Sequence, residues 1–512
     1  MLKGYILAHD LGTSGNKATL YDLNGKLHTS SFYEYETFYP KTNWVEQDPA
    51  DWWKAVCIST QDLIEKAGVS KSEILCICFS AQMMGCLPVD KDGNPLRKTI
   101  IWADLRSVSQ ANFMEEAIGM KDVYRITGHR ISPAYSAAKI LWVKDNQPEI
   151  FQKTHKILHA KDYIIYKLTG KFVTDYSDAS GMNLLDLEKK DWSDQVLQAI
   201  RLTRDILPEL HPSTDIAGTV TKGVAAEVGL LEGTPVVIGG GDGSCAATGA
   251  GVVESGSAYN VIGSSSWIAL ATERPIYDPL MRTFNWVHLD PGLFSPCGTM
   301  QSAGYSFSWL KNTLCGLEVS QAKAENISPY DIINQLIENS KPGANNLIFL
   351  PYLLGERSPR WNSDAKGAFV GLKITTAKED IYRAVLEGVT YNLKIILDIF
   401  GGFTTVNEII VIGGGARGKV WTQILADIWQ KPVLIPQFLE EATSMGAAIC
   451  GGVGIGAFAD FKVIKDFNKT VTTVQPRPEH REIYEKLFNV FNQTYEALVP
   501  VYHNLAKLES FQ

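Results

Sequence analysis

The chain has 512 residues, 45% of them hydrophobic, and a formal net charge of -8 at pH 7 from 48 Lys+Arg against 56 Asp+Glu. This is enough apolar material for a large core and at least two domains, and the acidic balance argues against nucleic-acid binding while leaving room for an anionic small-molecule pocket. There is no dense cysteine framework, no CxxC pair, no membrane-length apolar run and no signal-peptide leader, so a soluble, reduced, cytoplasmic protein without structural zinc is expected.

In chain order, GYILAHDLGTSGNKATLYDLNGKL reads as a strand, a Gly/Ser turn, a second strand and an Asn-Gly hairpin turn. QDPADWWKAVCISTQDLIEKAG predicts a helix with Pro49 in its first turn, Trp52, Val56 and Leu63 near one face and Gly68 at its end. ILCICFSAQ, from Ile74 to Gln82, returns to strand. TPVVI then predicts a short buried strand running into GGGDGSCAATGAG, which places Asp242 at a strand end before a small-residue helix. SAYNVIGSSSWIALATERPIY repeats the opening strand, small-residue turn and strand. A helix marked by Ile381, Val385, Val389, Ile396 and Ile399 precedes the strand EIIVIGGGARG. Two similar α/β domains facing one cleft follow, with the boundary placed at Glu254: 1–254 and 255–512.

Three turns offer phosphate chemistry. In DLGTSGNK, glycines permit close backbone approach, Thr13 and Ser14 could surround phosphate oxygens, and Asp10 could hold a hydrated magnesium ion, although a hairpin with a capping aspartate has the same appearance. Gly263 and Ser264 in GSSS, and GGGARG at Gly413 to Gly418, are further candidates, each also readable as an ordinary tight turn. None is a GxxxxGK[ST] phosphate loop or a GxGxxG dinucleotide fingerprint. Together, on a repeated α/β frame, they make a phosphoryl-transfer enzyme plausible.

The blocks DLGTSGNKATLYD, EQDPADWW, WADLR, KDYIIYKLTGKFVTDYSDASGMNLLDL, GGGDGSCAATGAG, FLPYLLGERSPRWNSDAKGAFVGL, VLEGVTYNL and GGGARGKVWTQILADI resemble, in order and over nearly the whole length, the FGGY carbohydrate kinases. The resemblance implies two actin/Hsp70/ribonuclease H-like domains, with the sugar held by the first and ATP by the second. It places Asp242 as the base that takes a proton from a sugar hydroxyl as that oxygen attacks the γ-phosphorus of ATP, and Asp10 as the Mg2+-positioning residue. An ordinary aspartate, with a pKa of about 4, would already be ionised at neutrality. The structural alternative is that Asp242 only caps its helix.

By the same resemblance Thr13, Ser14, Gly263 and Ser264 approach the phosphates, and Gly414, Gly415 and Ala416 the nucleoside. Gln423 and Asp427 follow on the next helix, and Met445 and Gly446 border the adenine region. Gln82, Met83, Met84 and Asp104 join Asp242 as sugar-contact candidates. SAQMMG is similar to the sugar loop of xylulokinases, except that Met84 stands where that pattern usually has histidine, and WADLR leans toward gluconate kinases. Tyr135 in PAYSAAK is a further candidate contact, and the GER of Gly355 to Arg357 a family mark without an assigned role. The expected activity is ATP-dependent phosphorylation of a primary hydroxyl, D-xylulose to D-xylulose 5-phosphate first, with gluconate or another ketose or polyol as alternatives. A non-catalytic sugar- and ATP-binding regulator is the reading from a different class. The resemblance implies no nucleic-acid or membrane partner, and dimerisation is expected as common in such kinases.

Overall fold

The computed structural model describes residues 4–509. Two seven-stranded mixed sheets dominate it. In the first, β1 (Tyr5–Leu11), β2 (Gly15–Asp22) and β3 (Leu27–Glu34) form an antiparallel meander. A helix, α1 (Pro49–Ala67), then leads to β4 (Ile74–Ala81), which pairs in parallel with β1. Asp48 caps α1 by accepting the Ala50 N–H at 3.0 Å, and Gly68 closes it in the left-handed conformation at φ 63°. Trp52, Val56 and Leu63 bury the face that the sequence pattern selects.

A helix α2 (Ala160–Thr169) and strands β5 (Ile216–Thr219) and β6 (Pro235–Val237) complete the sheet in the order β5-β6-β4-β1-β2-β3, with Gly240–Gly241 pairing on β4. The chain then turns into α3 (Asp242–Gly249), so Asp242 stands where strand becomes helix.

The second sheet repeats the plan. Strands β7 (Ala258–Ile262) and β8 (Ser266–Leu270) form the hairpin, and β9 (Phe284–Val287) and β10 (Phe294–Met300) extend it. Helices α4 (Gly304–Leu314), α5 (Pro329–Asn339) and the 24-residue α6 (Lys378–Gly401) precede β11 (Ile409–Ile412), which runs parallel to β7 as β4 runs parallel to β1. After α7 (Lys419–Trp429) come β12 (Val433–Pro436), α8 (Ala442–Gly454), β13 (Thr470–Val474) and a final helix α9 (Arg481–Glu509).

The halves are locked together by α3 and α8. A Cβ on Gly446 would sit 1.9 Å from the Cys245 carbonyl oxygen, and one on Gly249 would sit 1.7 Å from that of Ala442. Backbone therefore meets backbone where any side chain would hold the helices apart. Helix α8 also lies on the first sheet, its Met445, Ile449 and Cys450 sharing one core with Ile6, Cys76 and Cys78. The second half of the chain thus covers the sheet built by the first. Gly446→Ala should lower stability by about 3 kcal/mol, the upper range for overpacking a rigid core. Chemical denaturation checks this, and a loss below about 0.5 kcal/mol would show that the helix pair can spread.

Candidate active site

Strand register brings the first phosphate turn and the proposed base to one cleft. Asp10 ends β1 opposite Lys17 of β2 and Ser80 of β4, and its Oδ1 accepts the Ser80 hydroxyl at 3.0 Å. The turn after it is closed by the Gly12 N–H on the Gly15 carbonyl at 3.0 Å. Thr13 is half-buried and Ser14 exposed at the tip. Trp102 Nε1 donates to Thr13 Oγ1 at 2.9 Å, and Gln47 Nε2 donates to the Thr13 carbonyl at 2.6 Å. Gln47 also accepts from Trp52 Nε1 at 3.0 Å and from Gln82 Nε2 at 2.7 Å, which ties EQDPADWW and the SAQMMG loop to the phosphate turn.

Asp242 faces the open cleft, with protein on every other side. Loss of hydration there, followed by the negative charge of Asp10 and assisted by Asp178, pushes its carboxyl up to about 7, against the pull of the Gly243 N–H. This corrects the sequence expectation of an ordinary aspartate. Asp10 is also raised, by burial first, with Ser80 and Lys17 opposing. Two carboxyls that resist ionisation together in one cleft are a donor set suited to a hard divalent cation, which would relieve both.

The second domain supplies a cavity of about 530 Å³ that joins Gly263 and Ser264 to Gly414 and Gly415. Gly263 and Ser264 are exposed, and their carbonyls accept the Gly304 and Tyr305 N–H groups at 3.0 and 2.9 Å where α4 begins. A Cβ on Gly415 would lie 2.4 Å from Ile262 Cγ2, so glycine keeps this wall thin. Phe307, Tyr330, Asn334 and Trp421 complete the cavity, and the Asn334 Oδ1 atom is buried without a protein partner. The sequence reading missed these four. Trp421 stood eight residues after Gly413 in a quoted motif, but Tyr330 and Asn334 lie on α5, a helix with no motif of its own.

Several expected contacts sit elsewhere. Asp104 is fully buried, and its carboxylate takes Arg106 Nε and Nη2 at 2.6 to 3.0 Å and the Val45 N–H at 2.5 Å, so its oxygens are engaged within the protein. Arg106 also pairs with Glu46 at 2.8 Å and stacks on Trp44 at 3.8 Å, so WADLR and EQDPADWW meet as one buried ion cluster. Ala416 is buried rather than cavity-lining. Met445 is fully buried in the α8 core and Gly446 packs on α3, so neither lines this cavity. Asp427 is held by Arg477 at 2.7 Å and His480 at 3.0 Å, and Gln423 donates to Asp427 at 2.8 Å. Tyr135 is buried with its hydroxyl 3.0 Å from His129 Nδ1.

The sugar-loop residues divide by depth. Gln82 is buried and its Oε1 has no partner, while Met83 is packed against the Gly241 backbone. Met84 is half-buried and adopts φ 61°, a costly left-handed turn for a side chain of this size. Lys139 Nζ secures it by donating to the Met84 and Ala134 carbonyls at 2.8 and 2.5 Å. From the other domain, Trp267 Nε1 donates to Tyr259 Oη at 2.7 Å, and Tyr259 donates to the Gly243 carbonyl at 3.3 Å, linking the second hairpin to the Asp242 turn.

The comparisons agree with this geometry. The N-terminal domain of the FGGY family of carbohydrate kinases matches residues 5–249 and its C-terminal domain residues 258–455. The chain is 33% identical over 493 residues to a xylulose kinase from Bacillus subtilis, covering 96% of each. It is 32% identical over 512 residues to a gluconokinase from Bacillus licheniformis, covering 99% of each. The crystal structure of a gluconate kinase from Lactobacillus acidophilus superposes with a TM-score of 0.91 at 28% identity, covering 98% of this chain and 99% of that one. Among the described residues no helix is long and apolar enough to cross a membrane. With two repeated α/β domains around one cleft and family matches across both, the chain belongs to the FGGY family of carbohydrate kinases.

Proposed function

We propose that this carbohydrate kinase transfers the γ-phosphoryl group of ATP to a primary hydroxyl of D-xylulose, giving D-xylulose 5-phosphate. The observation that carries the reading is the placement of Asp242, the first residue of α3, where the Gly240–Gly241 strand pairs with the strand end that also meets Asp10, and burial with the charge of Asp10 raises its carboxyl pKa. A base whose pKa lies near the working pH keeps a substantial ionised fraction while holding the accepted proton effectively. Asp242 takes the hydroxyl proton as the sugar oxygen attacks phosphorus. The backbone turns at Thr13–Ser14 and Gly263–Ser264 embrace the phosphates from opposite domains, and Gly414, Gly415 and the 530 Å³ cavity hold the nucleoside. Asp10 would hold Mg2+, whose charge offsets that of the phosphates.

A neutral ketose suits the sugar loop. Gln82, Met83 and Met84 present no charge, and the nearby Lys139 is committed to two carbonyls. The gluconate reading is kept by the similarity to a gluconokinase at 32% identity and to a gluconate kinase structure at a TM-score of 0.91. Product mass after incubation with MgATP and D-xylulose, L-xylulose, the ribuloses, gluconate, glycerol or erythritol separates these substrates. A dominant pentulose phosphate supports the proposal, a dominant phosphogluconate replaces it, and binding of sugar and ATP without any phosphorylated product would favour the regulatory alternative.

Asp242→Asn should lower kcat by about 10²–10⁴-fold, the usual contribution of general-base catalysis, while the protein stays folded. Turnover within a factor of a few of the wild type would remove Asp242 from the mechanism. The pH dependence has a fixed sign. The base must be the anion, so kcat/KM for the sugar should fall as pH drops below about 7 and level off above it, with no such limb in Asp242→Asn. The folded protein also holds a proton there that the unfolded chain releases at lower pH, so this site's stabilisation is lost as pH rises through about 7. At pH 8 the Asp242→Asn protein should therefore melt no lower than the wild type. Tyr330→Ala, which strips one wall of the nucleoside cavity, should raise KM for ATP about tenfold and leave the sugar KM unchanged. The opposite pattern in steady-state kinetics would move the nucleotide elsewhere.

A further inference from the structure

The stretch from Lys161 to Ser180, whose Asp178 adds to the negative charge near Asp242, builds a fully buried charge cluster behind the Asp242 turn. Lys161 Nζ lies 2.6 Å from Asp162, 3.0 Å from Asp175 and 3.4 Å from Asp178, with all four side chains fully buried. Burial opposes the charge on Lys161, but the three carboxylates outweigh it and hold the ammonium well above its usual pKa. His159 Nδ1 adds a contact of 2.5 Å to Asp178. His159, Asp162 and Asp178 have the atoms to ligate a metal, but the Lys161 ammonium lies against two of them, and the cation of this cluster is the lysine's own.

A chain of hydrogen bonds leads from the cluster to the base. Asp175 Oδ2 accepts the Ser177 N–H at 2.8 Å and the Ser213 hydroxyl at 2.7 Å, and it also accepts the Ser177 hydroxyl proton at 2.5 Å. With its proton committed to Asp175, the Ser177 oxygen is left as an acceptor, and it receives the Gly241 N–H at 3.0 Å. Gly241 immediately precedes Asp242. Gly240 and Gly241 are pinned from the other side by strand pairing with Ser80 and Ala81, and Ser80 is the residue that donates to Asp10. There is no slack between the two: a Cβ on Gly240 would lie 2.7 Å from Ser177 Oγ and 2.3 Å from Leu289 Cδ2.

We propose that Ser177, oriented by Asp175 and Lys161, is a positioning residue for the phosphoryl-transfer base: it fixes the Gly241 peptide and thereby the direction in which Asp242 presents its carboxylate. The proposal rests on the reading of Asp242 as that base. A peptide held by a hydrogen bond that ends in a buried ion cluster resists the small rotations that take a base out of reach of its hydroxyl, and displacements of about 1 Å can cost two orders of magnitude in rate.

The test is a double-mutant cycle of Ser177→Ala and Asp242→Asn, with Ser177→Cys as a second variant. It is measured as kcat, both KM values and melting temperature with MgATP and the best-used sugar. Ser177→Ala should lower kcat about tenfold or more, with both KM values within about threefold and the melting temperature within a few degrees. In the Asp242→Asn background the same change should alter the residual rate less than about twofold, because its effect runs through the missing carboxylate. Ser177→Cys, which keeps a weak acceptor, should fall between. If Asp242→Asn is inactive and Ser177→Ala turns over normally, the positioning role is wrong and the base stands. If Ser177→Ala also shifts both KM values and the melting temperature, or costs as much with Asp242 already replaced, its role is general packing and the proposal fails. If Asp242→Asn itself turns over normally, the base reading fails and the positioning role with it.

Discussion

The contact between α3 and α8 is the constraint on which the rest depends. Two helices from distant parts of the chain approach until the Gly446 and Gly249 positions face carbonyl oxygens, so neither can carry a side chain. One of these helices begins with Asp242 and the other lies on the sheet that carries Asp10. The contact therefore sets where Asp242 stands relative to the turn that follows Asp10. It also joins the two halves of the chain through backbone-to-backbone contact flanked by the buried Cys245, Met445 and Ile449 side chains.

The electrostatics follow from that placement. Asp10 and Asp242 share a cleft in which the charge of Asp10 raises the cost of ionising Asp242 and burial raises that of Asp10, and the buried cluster around Lys161 carries three aspartates behind them. On the proposed reading, the stability lost as pH rises to neutrality is the counterpart of a base poised near its working range. The partner groups are satisfied: Glu46, Asp104 and Arg106 form one closed cluster, and the Asp427, Arg477 and His480 group fastens α7 to the segment leading into α9. They are as polar as the cleft residues and have the opposite use, because their charges are already paired.

This contrast explains what could be read from the chain alone. The hairpins, the capped α1 and the strand-to-helix position of Asp242 are local consequences of alternation, glycine placement and capping, so DLGTSGNK and TPVVIGGGDG were legible. The fate of Asp104 was not, because one of its partners, Val45, is 59 residues away. The family resemblance put Met445 beside the nucleoside, but α8 turns it into the core shared with Ile6 and Cys76. Tyr330 and Asn334 reach the cavity only because α5 packs near GGGARG, a tertiary fact without a local signature. The elevated pKa of Asp242 was hidden for the same reason. It depends on depth in the cleft and on a carboxylate 232 positions earlier.

The central claim is that Asp242 takes the proton from the hydroxyl that receives the phosphoryl group. The most direct measurement is a crystal structure of the wild-type protein with Mg2+, a non-hydrolysable ATP analogue and the sugar it phosphorylates. The account predicts an Asp242 carboxylate oxygen within hydrogen-bond reach, about 2.6–3.2 Å, of one primary hydroxyl whose oxygen lies in line with the γ-phosphorus. A closed complex in which that hydroxyl is held by another residue, with Asp242 turned away, would contradict it.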